Sequence, residues 1–397
     1  MRIDEQPLPY YKRNRLIWRW SYRDIEDGCR PVHGVALSMD RAPPSLSNAV
    51  AKKSEPRTPL RRERDPLDVM LDDIATVVGA FRRFKTWLDT PDPPKPPKPA
   101  PEQQTAPPFD IQEIPGAMRR ELMPVSARLM ERWFAGELNF SPTDPDEKAE
   151  IDQNGKPYAA SMYDTTTIKL DWVLSYQSAK DRYDDLLTLR IRTPNAVNAL
   201  RTILRRYNLP SFTLDAWQMC GNSLPTLHQH FQFQLVNVGS SLGQKIGALL
   251  EANVHNNGVP TDLTGALGSF NIYAAIAFAT FNDTGTEAYV SGIYVYIKDN
   301  YTFSSEPDSV SQYLGHWSAK GVIVVPYNGM ASYLNKQSLY FSYPVAKGNP
   351  AAKGNVYYPI HNSDFRDWAI KHQRGGDFII YSDYRYVPIF PPIRVLL

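Results

Sequence analysis

Cysteine is nearly absent from this chain: only Cys29 and Cys220 occur in 397 residues. Two thiols build neither a disulfide framework nor a cysteine-based zinc site, which leaves one bridge or two free thiols. Free thiols fit a chain made in a reducing compartment. A long apolar run is missing as well. The longest, Phe270 to Phe281, contains Asn271 and is too short to cross a bilayer as a helix. The opening residues, MRIDEQPLPYYKRNR, lack the apolar stretch of a signal peptide. Nor is there charge of one sign, since 44 Lys and Arg face 42 Asp and Glu. Near-neutrality gives no electrostatic reason to expect nucleic acid as a partner. Neither a transmembrane span, a cofactor nor a metal is expected. The chain should be made in the cytoplasm and leave it, if at all, by a route that ignores signal peptides.

What the chain has in excess is proline, 34 residues that are concentrated rather than spread. Residues 1–64 are rich in Pro and Arg and read as a mobile basic arm, with the aromatic piece LIWRWSY as an anchor. Asp65-Pro66 reads as an N-cap followed by proline at the first helical position. Leu67, Met70, Leu71, Ile74, Val77, Val78, Phe81, Phe84 and Leu88 then follow at helical spacing, so 65–90 is an amphipathic helix. Half the positions of 91–108 are proline, which makes a semi-rigid extended linker. Residues 109–210 read as a mainly helical subdomain. Helix runs from Gly116 to Ala135, restarting at Pro124 and capped by Gly136, and again from Thr193-Pro194 to Tyr207.

Beyond Leu209 the texture turns to β, and 211–397 reads as a β-rich body. Phe231, Phe233 and Leu235 alternate with glutamines as in a half-buried strand. Phe270–Phe281 and Ala288–Ile297 flank Asn-Asp-Thr-Gly, a hairpin signal. Val322–Val325, Leu339–Tyr343 and Phe378–Tyr386 add strands, and the repeated Ala-Lys-Gly-Asn at 346 and 352 reads as a loop. The fold class is α+β: helical N-terminal elements, then a mainly antiparallel sheet.

Four stretches carry candidate chemistry. Gly239-Ser-Ser-Leu-Gly243 matches G-x-S-x-G between a strand-like and a helix-like run, the setting of a nucleophile elbow at Ser241. The polar residues in the preceding strand and the lack of repeated βα units favour an ordinary turn. His228-Gln-His230 would place two imidazoles on one face of an extended segment, without a third metal ligand at a persuasive spacing. Asp299 and Tyr301, at the end of a strand and followed by His316, could serve acid–base work. An exposed turn beside packed aromatics is the plainer alternative. The closing tract, HNSDFRDWAIKHQRGGDFIIYSDYRY, gathers Asp364, Arg366, Asp377, Asp383 and Arg385 around Gly375-Gly376. Phe365 and Trp368 should pack, Asp364 should cap their helix, and Asp377, Asp383 and Arg385 could form one ion-pair cluster, structural or catalytic.

The D-x-Y-x-F segment at 299, Tyr-Leu-Gly-His-Trp at 313 and N-S-D-F-R-x-W…G-G-D-F-x-x-Y-S-D resemble an uncharacterised bacterial domain family. The likeness spans about 160–390 and is most specific from Asn362 to Asp383. That resemblance implies association with type VI secretion and polymorphic-toxin genes, and brings no catalytic residues. It leads to an expectation of an interbacterial effector, or an effector-associated protein. Such a chain would be made in a bacterial cytoplasm, exported by a contact-dependent apparatus into a target cell, and docked to that apparatus or an adaptor by its N-terminal region. An immunity protein would be a further partner. A serine esterase or lipase at Ser241 and a non-catalytic carrier or assembly protein are the competing expectations.

Overall fold

The computed structural model describes residues 9–13, 18–22, 29–32, 34–46, 106–207, 209–239, 260–303, 311–323 and 344–397. The expected helix at 65–90, the linker up to Thr105, Ser241 with the run to Asn253, Val324–Val325 and Leu339–Tyr343 lie outside these residues. The fold is α+β. Among the described residues no helix is long and apolar enough to cross a membrane.

Strands β1 (Pro9–Arg13) and β2 (Trp18–Tyr22) pair as an antiparallel ribbon, and β3 (Cys29–Pro31) follows. Helices α1 (Ile114–Arg120), α2 (Pro124–Ala135), α3 (Asp144–Lys148), α4 (Leu170–Leu174), α5 (Gln177–Thr188) and α6 (Pro194–Leu204) come next, with the two-residue strand β4 (Tyr163–Asp164) among them. Then come β5 (Thr213–Asp215), α7 (Ala216–Met219), α8 (Leu224–Phe231), β6 (Gln232–Val238), α9 (Asp262–Leu267), β7 (Phe270–Phe281) and β8 (Glu287–Tyr301). The chain closes with β9 (Tyr313–Ser318), β10 (Gly321–Ile323), β11 (Val345–Lys347), β12 (Val356–His361), α10 (Asn362–His372), β13 (Phe378–Tyr381) and β14 (Arg385–Leu396).

The hairpin β7–β8 is the axis of a seven-stranded sheet. β7 is flanked by β6 and β5, and β8 by β14 and β13, all antiparallel, while β13 also takes β4 in parallel. A strand with neighbours on both edges and packing on both faces cannot show clean alternation. Ile272, Ala274, Ala275, Ile276 and Ala277 are accordingly all fully buried. Asn282 makes the turn: its side-chain oxygen accepts from the backbone of Thr286 at 2.9 Å and Glu287 at 3.1 Å, with Gly285 at φ +69. A second sheet runs β10-β9-β12-β11-β3. Helices α5, α6 and α8 pack on the first sheet, and α1 packs on β9 and β10.

Several expectations need correction. His228 and His230 sit on α8, not on a strand, and two residues on a helix are about 200° apart, so the imidazoles diverge. A bulge between Gln232 and Gln234 then shifts the phase of β6, burying Val236 and Val238 and leaving Leu235 39% exposed. The expected strand at 378–386 is two strands. The Ser382 hydroxyl accepts from Ile297 N at 2.9 Å, and Asp383 turns out to the Leu170 amide, which breaks the ladder. The first Ala-Lys-Gly-Asn begins inside β11 rather than in a loop. Residues 29–46 are not a free arm: β3 pairs with β11, and Val35, Leu37 and Met39 pack on the core.

Helix α2 starts at Pro124 without a cap of its own, since Met123 has no oxygen to offer. Asp262, at the start of α9, supplies it from 136 residues away in sequence, accepting from Val125 N at 3.0 Å and Ser126 N at 2.8 Å. The Ser126 hydroxyl returns the contact at 2.7 Å. This buried carboxylate satisfies amides that water does not reach and complements the positive helix end. Asp262→Ala should lower the unfolding free energy by about 2–3 kcal/mol in urea titrations, with Asp262→Asn losing less.

Candidate functional site

Seven elements meet around the end of β8. Between α1, α2 and α9 on one side and the ends of β8, β9 and β12 with α10 on the other lies a cavity of about 370 Å³. Its walls are mostly apolar: Met118, Met123, Met130, Leu314, Trp317 and Phe365. The polar residues lining it include Asp299, Tyr301, Gln312, Tyr313 and Asn362. Asp299 accepts no hydrogen bond from any side chain among the described residues. The neighbouring cation, Lys298, turns instead to Glu150 at 3.0 Å. Burial therefore pushes the Asp299 carboxyl well above the usual range, reinforced by the Glu147 charge. Tyr301 is 8% exposed, stacked on Phe378 at 5.0 Å, and burial also raises its hydroxyl. A carboxyl raised by burial beside a phenol places two hydrogen-bonding groups in an apolar wall.

His316 does not join them. It lies on β9 between Gly315 and Trp317, which line the cavity, so alternation carries its side chain to the other face. It is buried there, hydrogen-bonded through Nδ1 to the Tyr313 hydroxyl.

The charged tract is dispersed as well. Asp377 is 2% exposed and accepts from Trp133 Nε1 at 2.8 Å and Arg366 Nη2 at 2.7 Å. Burial pushes its carboxyl up against the pull of Arg366. Asp383 lies elsewhere, accepting from the Leu170 amide at 2.6 Å at the start of α4, where Lys169 offers no side-chain cap. Arg385 pairs with the exposed Asp171 in that same turn. Asp364 closes a capping box with His361 at the start of α10. The expected single cluster is thus three separate structural contacts, because Asp377 and Asp383 end up at opposite ends of β13.

Sequence reading missed a polar group on the far face of β8. His228 Nδ1 and the Tyr296 hydroxyl share a hydrogen bond of 2.9 Å, with Tyr273 edge-on at 4.8 Å and Tyr381 at 6.0 Å. Glu150 bridges Lys298 and the Tyr163 hydroxyl, the latter at 2.5 Å. Burial, with the Lys298 charge, pushes the His228 imidazole down to about 4. Only the alternation of Tyr294, Tyr296 and Lys298 along β8 hinted at this face.

The Ser241 motif lies outside the described residues. Gly239 before it has φ +90, as a sharp turn requires, but β6 is antiparallel and pairs only with β7 among the described strands. A nucleophile elbow follows a central parallel strand. Among the described residues no three His, Cys, Asp or Glu side chains gather as metal ligands.

With this geometry in view, residues 109–397 match a family of unknown function, DUF6402. The chain belongs to that family. No curated protein and no solved structure is matched. The DUF6402 region holds the cavity, the Asp377 contact and the His228 group alike, whereas residues 29–46 precede it.

Asp377→Ala, which strands Arg366 and Trp133 Nε1, should cost about 3–5 kcal/mol in thermal or urea unfolding, while Arg385→Ala, at a solvated pair, should cost under about 1 kcal/mol. His228 is neutral in the fold down to about pH 4, whereas the unfolded chain protonates from about 6.5. Its contribution should be full above pH 6.5 and lost between 6.5 and 4, by about 2–3 kcal/mol in all. Urea titrations of the native chain and His228→Gln at pH 7.5 and 4.5 should differ by that amount.

Proposed function

We propose that this DUF6402 chain is an effector-associated carrier of a contact-dependent, type VI-like secretion system, holding an apolar cargo group in the cavity at the end of β8. One observation carries the binding role. A cavity of about 370 Å³ among the described residues is Met-rich and aromatic, and burial raises the Asp299 carboxyl at its wall well above the usual range. Thioether and aromatic walls adapt to varied apolar shapes. Burial favours the protonated carboxyl, which both donates and accepts, as suits an amide, ester or alcohol headgroup. An anionic headgroup would meet a carboxyl whose neighbouring cation, Lys298, is already paired with Glu150. The secretion setting rests on the resemblance alone.

The second reading, an antibacterial effector acting as an esterase or lipase through Ser241, has the positive φ of Gly239 in its favour. The edge position and antiparallel pairing of β6 weigh against it.

The full chain should bind the neutral fluorophore N-phenyl-1-naphthylamine saturably near 1:1, with decanamide displacing it about tenfold better than decanoate at pH 7. Thr264→Trp, an exposed helical residue at the cavity wall, should block binding without lowering the melting temperature. Absence of saturable binding, or binding indifferent to Thr264→Trp, sinks the carrier reading. Expression in the cytoplasm and, separately, the periplasm of a test bacterium should be harmless. Toxicity abolished by Ser241→Ala would transfer the function to the hydrolase.

A further inference from the structure

The last strand carries a feature that neither the cavity nor the core explains. β14 runs in register with β8 down to Pro388 opposite Gly292, then resumes at Ile393 opposite Val290. Ile389, Phe390, Pro391 and Pro392 bulge out between these points. Ile389 and Ile393, 7% and 4% exposed, root the bulge in the core, while Phe390 between them is 94% exposed. Every other phenylalanine among the described residues is buried or partly buried. A phenyl ring left in water forgoes the transfer gain that the rest of the fold is built on.

The bulge is held rather than loose. Arg192 Nη2 donates to the Pro391 carbonyl at 2.5 Å, and Arg201 Nε to the Leu396 carbonyl at 2.6 Å. Pro388, Pro391 and Pro392 fix φ on both sides of the ring. A side chain presented this way loses little freedom on binding, so most of its contact energy would appear as affinity.

The segment from which these clamps come carries charge of one sign. Residues 189–210, LRIRTPNAVNALRTILRRYNLP, hold Arg190, Arg192, Arg201, Arg205 and Arg206 and no Asp or Glu. Arg190 is tied to Asp185 at 3.0 Å, whereas the exposed side chains of Arg205 and Arg206 have no hydrogen-bond or ion-pair partner among the described residues. Helix α6, which carries Arg201 and leads into Arg205, packs directly on β14. Leu396, 54% exposed, adds apolar area on the Arg201 side.

We infer that the Phe390 bulge and the arginines in and flanking α6 form a docking surface for a protein partner, one with an apolar socket for the ring and a carboxylate-rich rim for the arginines. Aromatic and arginine side chains dominate binding energy at protein interfaces, and a guanidinium meets a carboxylate through two parallel hydrogen bonds. An anionic membrane fits less well. Surface-bound segments insert several apolar side chains beside basic clusters, whereas here a single ring stands on a proline-stiffened loop. This surface is independent of the cavity and of its proposed cargo.

The test places the photocrosslinker p-benzoylphenylalanine at Phe390 of the full chain in its own cells, with Leu122, 77% exposed, as the control position. The expected adduct at 390, absent at 122, is an acidic protein identified by mass spectrometry. That protein, purified, should bind the native chain with an affinity that falls about tenfold or more in Phe390→Ala and in Arg205→Glu/Arg206→Glu. Its affinity should also fall steeply with added salt, while both variants keep the native melting temperature. An adduct that binds Phe390→Ala equally well overturns the inference. So does an adduct of the chain with itself, which would mark an interface between copies. Phe390-dependent co-sedimentation with phosphatidylglycerol vesicles without a protein adduct overturns it in favour of a lipid surface. No adduct above the control leaves Phe390 as a solvent-exposed loop tip and ends the proposal.

Discussion

The contact between the C-terminal end of α2 and the turn after α10 is the constraint on which the rest of this structure depends. Gly376 N donates to the Trp133 carbonyl at 3.1 Å, Asn139 N to the Gly375 carbonyl at 3.2 Å, and Asp377 N to the Asn139 carbonyl at 3.0 Å. Two chain segments more than two hundred residues apart are thereby laid side by side. A side chain at Gly376 would stand 2.7 Å from the Glu137 carbonyl, and one at Gly375 2.8 Å from the Trp133 ring. Gly375 also has φ +94. The glycine pair is thus dictated as much by close approach as by the turn. Arg374 completes the join by donating to the Gly136 and Ala135 carbonyls, at the end of α2 where the helix dipole favours a cation.

Everything proposed for the cavity hangs from this join. Trp133, buried and edge-on to Phe303 and Phe365, fixes where α2 stands relative to α10, and both helices contribute to the cavity wall. Asp377 then hands the chain to β13, which pairs Ile380 opposite Asp299 and holds the end of β8 in place. Along β8 the alternation of side chains separates two electrostatic settings. Lys298 and Asn300 turn to Glu150 and Glu147 on one face, leaving Asp299 in the apolar wall without a compensating charge. Burial of Asp299, together with that separation, is what raises its carboxyl.

The parts of this fold legible in the sequence are those set by local backbone chemistry. Thr193-Pro194 caps α6 as its spacing implies, with the Thr193 hydroxyl accepting from Ala196 N, and Asn282 to Gly285 turn the central hairpin. Pro124 restarts a helix for the same reason. What local chemistry does not encode is the partner across the fold. His228 belongs to a helix that ends only at Phe231, where a bulged strand takes over, and alternation across that junction mimics a longer strand. Asp383 and Arg385 sit two residues apart near Asp377, yet their partners come from α4, and no spacing within the closing tract reveals that. The cavity was visible only as Asp299 and Tyr301, since its methionines come from residues 118 to 130.

The segment before the DUF6402 match shows how a family boundary and a folding boundary part company. Asp110, near the first matched residue, accepts from the Ser38 hydroxyl at 3.1 Å and the Arg41 amide at 3.2 Å. His372 and Arg374, on the matched side, hydrogen-bond the Met39 and Pro44 carbonyls. Val35, Leu37 and Met39 cover apolar surface of the body, and β3 pairs with the outer edge of β11. An unpaired edge strand invites association with other chains, and β3 occupies that edge. Basic composition and abundant proline made this stretch read as an arm, because they report on solvation and not on which edge awaits a strand. Residues 29–46 therefore belong to the same physical unit as the matched region, and it is this unit that presents the cavity and the Phe390 surface.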